Sequence, residues 1–242
     1  MDYAEAYFEQ VENVLGRIED HADDYEAAAA QLLARLKKGG MIYTFGTGHG
    51  HLLALEVFYR AGGLVRVCPI LNDELMLHVS ASASSQYERR EGVAESLLNE
   101  YGVGENDALI VISNSGINPL PIEMALGAKQ RGALTIALTN LAHSKPLASR
   151  HHSGKKLYEL CDIVLDNCGV LGDACVPAKS GSICPTSTIA GAMILHTIVA
   201  DLVELAEKEG FPLETYASSN VPGGDARNAQ YIEKYKKVIK CL

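Results

Sequence analysis

A doubly wound α/β sandwich is the fold class this sequence predicts, and three observations predict it. Five short apolar runs recur along the chain without polar–apolar alternation, the pattern of parallel strands covered on both faces. Helical patterns separate those runs, so that each strand can return parallel to the last. The length of 242 residues suits one large domain, read as an N-terminal helical segment, 1–40, packing on a core of residues 41–242.

Residues 3–20 place Tyr7, Val11, Val14, Leu15 and Ile18 at helical spacing, and AAAAQLLARLKK supplies strong helix formers up to Gly39-Gly40. MIYTFG is the first strand, GTGHGH a loop, and HLLALEVFYRAGG the helix after it. VRVCPIL is the second strand, whereas the Ser-rich stretch 72–86 carries no decisive pattern. REGVAESLLNEYG reads as a helix, DALIVISNSG as the third strand, and PLPIEMALGAKQRG as a helix with Pro119 in its first turn. ALTIALTN is the fourth strand, KPLASR opens a short helix, and DIVLDN, after a polar insert at 151–156, is the fifth strand. PTSTIAGAMILHTIVADLVELAEKEG is one long helix, and a Gly/Pro/Asn-rich tail precedes QYIEKYKKVIK.

Thirty acidic residues against 21 basic ones give a net charge of −9, the wrong sign for a nucleic-acid partner. An anionic ligand therefore needs a local pocket. The longest apolar run carries His196, Asp201 and Glu204 and reads as a buried helix, so no membrane partner is expected. The acidic, helix-patterned N-terminus has no basic leader, and six cysteines are too few for a disulfide scaffold in a chain this long. A reducing cytoplasm is expected. No Cys-x-x-Cys pair occurs, so neither a metal nor another cofactor is expected, and His151-His152 is read as an exposed loop.

Two loops carry the chemistry. Gly46-Thr47-Gly48-His49-Gly50-His51 leaves the carboxyl end of a strand and enters a helix, where ligands collect in open α/β sheets. Its glycines allow close backbone approach, and its free N–H groups attract an anion. Ser113-Asn114-Ser115-Gly116-Ile117-Asn118 occupies the same place in a later unit and presents hydroxyl and amide donors instead. Its serines could equally cap the following helix. A lone Gly-x-Gly could equally be an ordinary tight turn, since the third glycine of a dinucleotide fingerprint is missing.

At these residues the chain resembles the SIS (sugar isomerase) family, through VISNSG, TIALTN, the Asp162 strand and CPTST at the head of the long helix. FGTGHGH, EVFYRAGG and SSNVPGGD resemble in particular an uncharacterised bacterial group labelled phosphoheptose isomerases. The resemblance implies a five-stranded parallel sheet in a flavodoxin-like three-layer αβα sandwich. It also implies a phosphosugar ligand bound by the two loops together with Thr186 and Ser187, and a homodimer or homotetramer with sites near subunit interfaces. Glu88, in SSQYERRE, is a second acid candidate at the site or the start of a solvated helix. Gly50 and Asn118 stand where the family motifs carry serine and threonine, and Arg60 where phosphoheptose isomerases carry a glutamate. Glu56, one turn earlier, is the expected base in its place. His196 falls where that family places a catalytic histidine, and His49 where arabinose 5-phosphate isomerases have a lysine; Asn220 replaces a histidine of the latter.

The expectation is an aldose–ketose isomerase that moves a proton between neighbouring carbons with Glu56, His196 and His49 as acid and base groups. A non-catalytic phosphosugar sensor and an etherase or deaminase of amino-sugar phosphates are the alternatives.

Overall fold

A computed structural model describes residues 2–242. It opens on α1 (Tyr3–Glu19) and α2 (Ala22–Lys37). Asp2 caps α1 by accepting from the N–H groups of Ala4 and Glu5, and α2 buries Tyr25, Ala28, Ala29, Leu32, Leu33 and Leu36, the stripe of an amphipathic helix.

The central sheet is built from β1 (Ile42–Gly46), β2 (Val67–Pro69), β3 (Ala108–Ile112), β4 (Leu134–Thr139) and β5 (Ile163–Asp166). All its pairings are parallel and its order is β2-β1-β3-β4-β5, the flavodoxin-like arrangement. The fold is the one the sequence predicts. β1, β3 and β4 are buried along their whole length, which is why they read as near-continuous apolar runs. One face packs on α3 (Gly50–Glu56), α8 (Ser187–Lys208) and the N-terminal helices, whose Val14, Ile18 and Leu32 share a cluster with Ile42, Ile110 and Ile136. The opposite face packs on α5 (Ala94–Tyr101) and α6 (Pro119–Gln130) through Leu98, Leu120, Ile122 and Ala125.

Several boundaries differ from the sequence reading. The helix expected over HLLALEVFYRAGG stops at Glu56, and Tyr59 takes the left-handed φ of 44°. The Ser-rich stretch forms α4 (Leu77–Tyr87), interrupted by extended backbone at Ser80. The short helix α7 (Leu141–Ser144) precedes KPLASR rather than starting in it, because Asn140 caps it by accepting from His143 N at 2.9 Å. Between β5 and α8 stands an antiparallel hairpin, β6 (Ala174–Ala178) and β7 (Gly181–Pro185). The chain closes on α9 (Gly224–Tyr235).

α8 is long and apolar enough to cross a membrane by composition, yet Ala190, Gly191, Ile194, Leu195, Ile198 and Leu202 bury it in the core. Gly191 sets how closely α3 approaches it: a Cβ there would overlap Leu53 Cδ1 and lie 3.4 Å from Cδ2. Gly191→Val is therefore expected to destabilise the fold by about 1–3 kcal/mol in denaturant unfolding, by forcing the two helices apart.

Candidate functional site

β1 and β3 pair in register from Ile42↔Ala108 to Gly46↔Ile112, so the loops that leave them emerge side by side at the carboxyl edge of the sheet. They touch there: a Cβ on Gly50 would come within 2.8 Å of the Ile112 carbonyl oxygen. A cleft of about 290 Å³ opens between them, lined by Thr47, Gly48, His49 and Gly50 from the first loop and by Ile112 and Asn114 from the second. The other walls come from Leu53 of α3, Glu88 at the end of α4, Asn167 after β5, and Asp173, Ser187 and Thr188 around the head of α8.

The first loop has the geometry of an anion cradle. Gly48 has a φ of +56°, and the N–H groups of Gly48 and His49 form no hydrogen bond among the described residues. Both stand at the N-terminal end of α3, where partial positive charge gathers. His49 is exposed and faces the cleft. His51 is half-buried and outside the lining; burial, and then His78, lower its imidazole pKa from the ordinary value.

The second loop is partly spent on its own conformation. Ser113 Oγ accepts from Gly116 N at 3.2 Å, and Gly116, at φ +60°, lies where a Cβ would meet Thr139 Oγ1 at 3.0 Å. Asn114 Oδ1 accepts from Asn167 Nδ2 at 2.8 Å, which fixes the floor of the cleft. Asn118, buried at the head of α6, donates to Glu88 Oε1 at 2.6 Å and accepts from Arg150 Nη1 at 2.7 Å. Its amide is thus a strut under the wall that carries Glu88. Ser113, Ser115 and Gly116 of the expected phosphate donors do not line the cleft.

At the head of α8, Asp173 takes the position an anion would occupy. One of its oxygens accepts from Thr186 N at 3.2 Å and Ser187 N at 2.9 Å, and the other from Ser187 Oγ at 2.5 Å. Thr186 Oγ1 is buried without a partner among the described residues. Among the lining side chains there is no lysine or arginine, while Glu88 and Asp173 are both acidic. Asp173→Asn keeps an acceptor at the cap and tolerates the φ of 70° found there. It is expected to weaken α8 by about 0.5–1 kcal/mol in thermal unfolding, and to tighten binding of inorganic phosphate about three- to tenfold in calorimetry, because one like charge leaves the cleft.

Glu56 and His196 do come together. Glu56 Oε1 lies 3.0 Å from His196 Nε2, joining the end of α3 to the middle of α8. Glu56 follows Gly50 and Leu53 at three-residue steps, hence continues the helix face that those two residues turn to the cleft. Neither partner belongs to the lining itself. Arg60 also donates to Glu56 Oε1, so one carboxylate oxygen serves two nitrogen partners. Asp173, Asn167 and Thr188 enter the site without having been assigned a role from sequence. Asn167, at the carboxyl end of a predicted strand, carried the positional signal that would have found it.

A family model described as the SIS domain matches residues 6–140. The chain belongs to the SIS domain family. Within it, the UPF0309 protein of Geobacillus kaustophilus is 42% identical over 239 residues, covering 98% of this chain and 95% of the relative. A UPF0309 protein of Listeria monocytogenes is 40% identical over 243 residues, covering 100% of this chain and 97% of its own. Among solved structures, a phosphoheptose isomerase from Francisella tularensis superposes with a TM-score of 0.56 at 18% identity, over 84% of this chain and 97% of that one. A phosphoheptose isomerase from Neisseria gonorrhoeae superposes with a TM-score of 0.53 at 18% identity, over 83% and 97% of the two chains. At these identities the shared feature is the SIS fold.

Proposed function

We propose that this SIS protein binds a sugar phosphate in the cleft between its first and second loops and interconverts the aldose and ketose forms. The observation that carries the reading is the Glu56–His196 hydrogen bond, set on the same helix face that Gly50 and Leu53 present to the cleft. The phosphate lies against the N–H groups of Gly48 and His49, with Thr47 and Asn114, which line the same cleft, as further donors. The sugar extends from there toward α3 and α8. Glu56 takes the proton from the carbon beside the carbonyl and returns it to the neighbouring carbon, while His196 or His49 moves a proton between the two oxygens.

Incubation with pentose, hexose and heptose phosphates in deuterated water tests this reading. Deuterium entering C1 or C2 of one of them is the expected result, and no exchange with any member of the panel removes the reading.

One observation favours a second reading. The hydrogen bond from Arg60 to Glu56 Oε1 engages the proposed base with a permanent cation, which suits a binding protein that reports a phosphosugar without turning it over. Calorimetric binding of a sugar phosphate with no exchange at carbon would select it.

The same reading takes the protein as a cytoplasmic homodimer or homotetramer. Six free cysteines fit a reducing compartment. Ile189 and Met193, one turn apart on α8 and both 40% exposed, offer an apolar face beside the cleft to a second copy. Light scattering coupled to size-exclusion chromatography is expected to return two or four chains per particle.

A further inference from the structure

Away from the cleft, the loop between α4 and α5 meets the polar insert before β5. Glu91, His151 and His152 converge there, with one ligand atom of each within 4.8 Å of the others. The two histidines border a second cavity, of about 300 Å³, whose lining also includes Gly92, Ser153 and Glu123 of α6. The two imidazole rings stand 4.1 Å apart between centroids, inclined at 45°.

Of the three, His151 is the buried, held ligand, while His152 and Glu91 are exposed. The His151 side chain is 3% exposed, and its Nδ1 pairs with Ser153 Oγ at 2.7 Å. A partner on one ring nitrogen fixes the ring and leaves the other nitrogen for an ion. That nitrogen, Nε2, lies 3.9 Å from Glu123 Oε1, and both Glu123 oxygens accept from Gly92 N at 2.8 Å. His152 Nδ1 lies 2.8 Å from Glu91 Oε2. An ion about 2.1 Å from each ligand of a tetrahedral set keeps those ligands roughly 3.4 Å apart, so the pair opens by only about half an ångström to admit it. Two imidazoles with carboxylates suit zinc, cobalt or nickel; magnesium and calcium ask for oxygen ligands alone.

We propose that Glu91, His151 and His152 bind one divalent transition-metal ion, with solvent completing its coordination. Of the exposed loop expected at His151-His152, His152 is exposed and His151 is buried. The site joins two segments 61 residues apart in sequence, and adjoins Arg150, which bonds Asn118 beneath Glu88. The ion thus braces one wall of the cleft from outside, and its binding is independent of whether that cleft isomerises anything.

Protein stripped with a chelator and titrated with zinc sulfate is expected to take up one ion per chain and to gain thermal stability. Loading with cobalt is expected to give the visible absorption of a four-coordinate site, and X-ray absorption of the zinc form is expected to count two imidazoles. His152→Ala and Glu91→Gln each weaken zinc binding about tenfold or more. His21→Ala, which removes an exposed histidine paired only with Asp24, leaves it unchanged. Both variant positions are solvent-accessible, and an unfolding midpoint in chelator equal to that of the unaltered protein verifies the fold. The proposal is overturned by the absence of saturable uptake of zinc, cobalt or nickel, by uptake that survives both substitutions, or by an X-ray absorption spectrum without paired imidazoles.

Discussion

Glu56→Gln is expected to lower kcat for aldose–ketose conversion by about 10²- to 10⁴-fold, the usual contribution of a positioned proton-transfer group, with KM changed only a few-fold. Glutamine keeps the length of the side chain and an oxygen for His196 Nε2, so the α3–α8 contact survives. It loses the one property that matters for the reaction, the capacity to accept a proton from carbon. The split between kcat and KM is the diagnostic, since a group that acts only in the transition state lowers kcat without lowering affinity. Steady-state rates on whichever sugar phosphate exchanges deuterium, alongside calorimetric affinity, give both quantities. An equal fall in affinity and rate would make Glu56 a binding residue. An unchanged rate would shift the proton transfer to His49, which alone among the proposed acid–base groups lines the cleft.

The sequence carries the sheet more openly than the site, for a physical reason. A parallel strand covered on both faces demands a near-continuous apolar run. ALIVI is one, and LTIALT departs from it only at Thr135 and Thr139, whose hydroxyls are paired with Asp162 and the Asn114 carbonyl. The β6–β7 hairpin makes no such demand. ACVPA and GSICP are half-exposed, hold proline and glycine, and pair only with each other, so no run or alternation marks them. Site geometry depends on pairings across long separations. Asn118 looks like a loop donor in Ser-Asn-Ser-Gly-Ile-Asn until Glu88 and Arg150, 30 and 32 residues away in sequence, consume its amide. Asp173 sits on the N–H groups of Thr186 and Ser187 because the hairpin folds back and returns the chain to the point where α8 begins. Glu56 and His196 were legible as individuals, through helix-face reasoning and resemblance. Their contact, 140 residues apart, required the close approach that Gly191 permits.

Gly46→Ala is expected to be the most damaging single-methyl change in the first loop. Gly46 ends β1, and the chain turns back so tightly that a Cβ would overlap the Gly50 carbonyl and stand 2.9 Å from His51 N. Those are backbone atoms of the first turn of α3, which cannot rotate away as a side chain would. Relief requires α3 to move as a body, against Leu53 and Ala54 in the core and against Ile112 beneath Gly50. Overpacking in a rigid setting costs about 3 kcal/mol at the upper end of its usual range, and for a chain of this size that lowers Tm by roughly 6–12 °C. The same displacement draws the N–H groups of Gly48 and His49 away from the cleft, so phosphate affinity should fall with stability. Gly48→Ala separates the two causes. Gly48 has the left-handed φ of +56°, but nothing within 4 Å of a built Cβ. It should therefore suffer only the conformational penalty of about 1–2 kcal/mol. Differential scanning calorimetry of the two variants reads the contrast directly: a larger fall at Gly46 locates the constraint in the contact between strand end and helix start, whereas equal falls would reduce it to backbone dihedral preference and remove the reason for α3 to hold the phosphate loop in place.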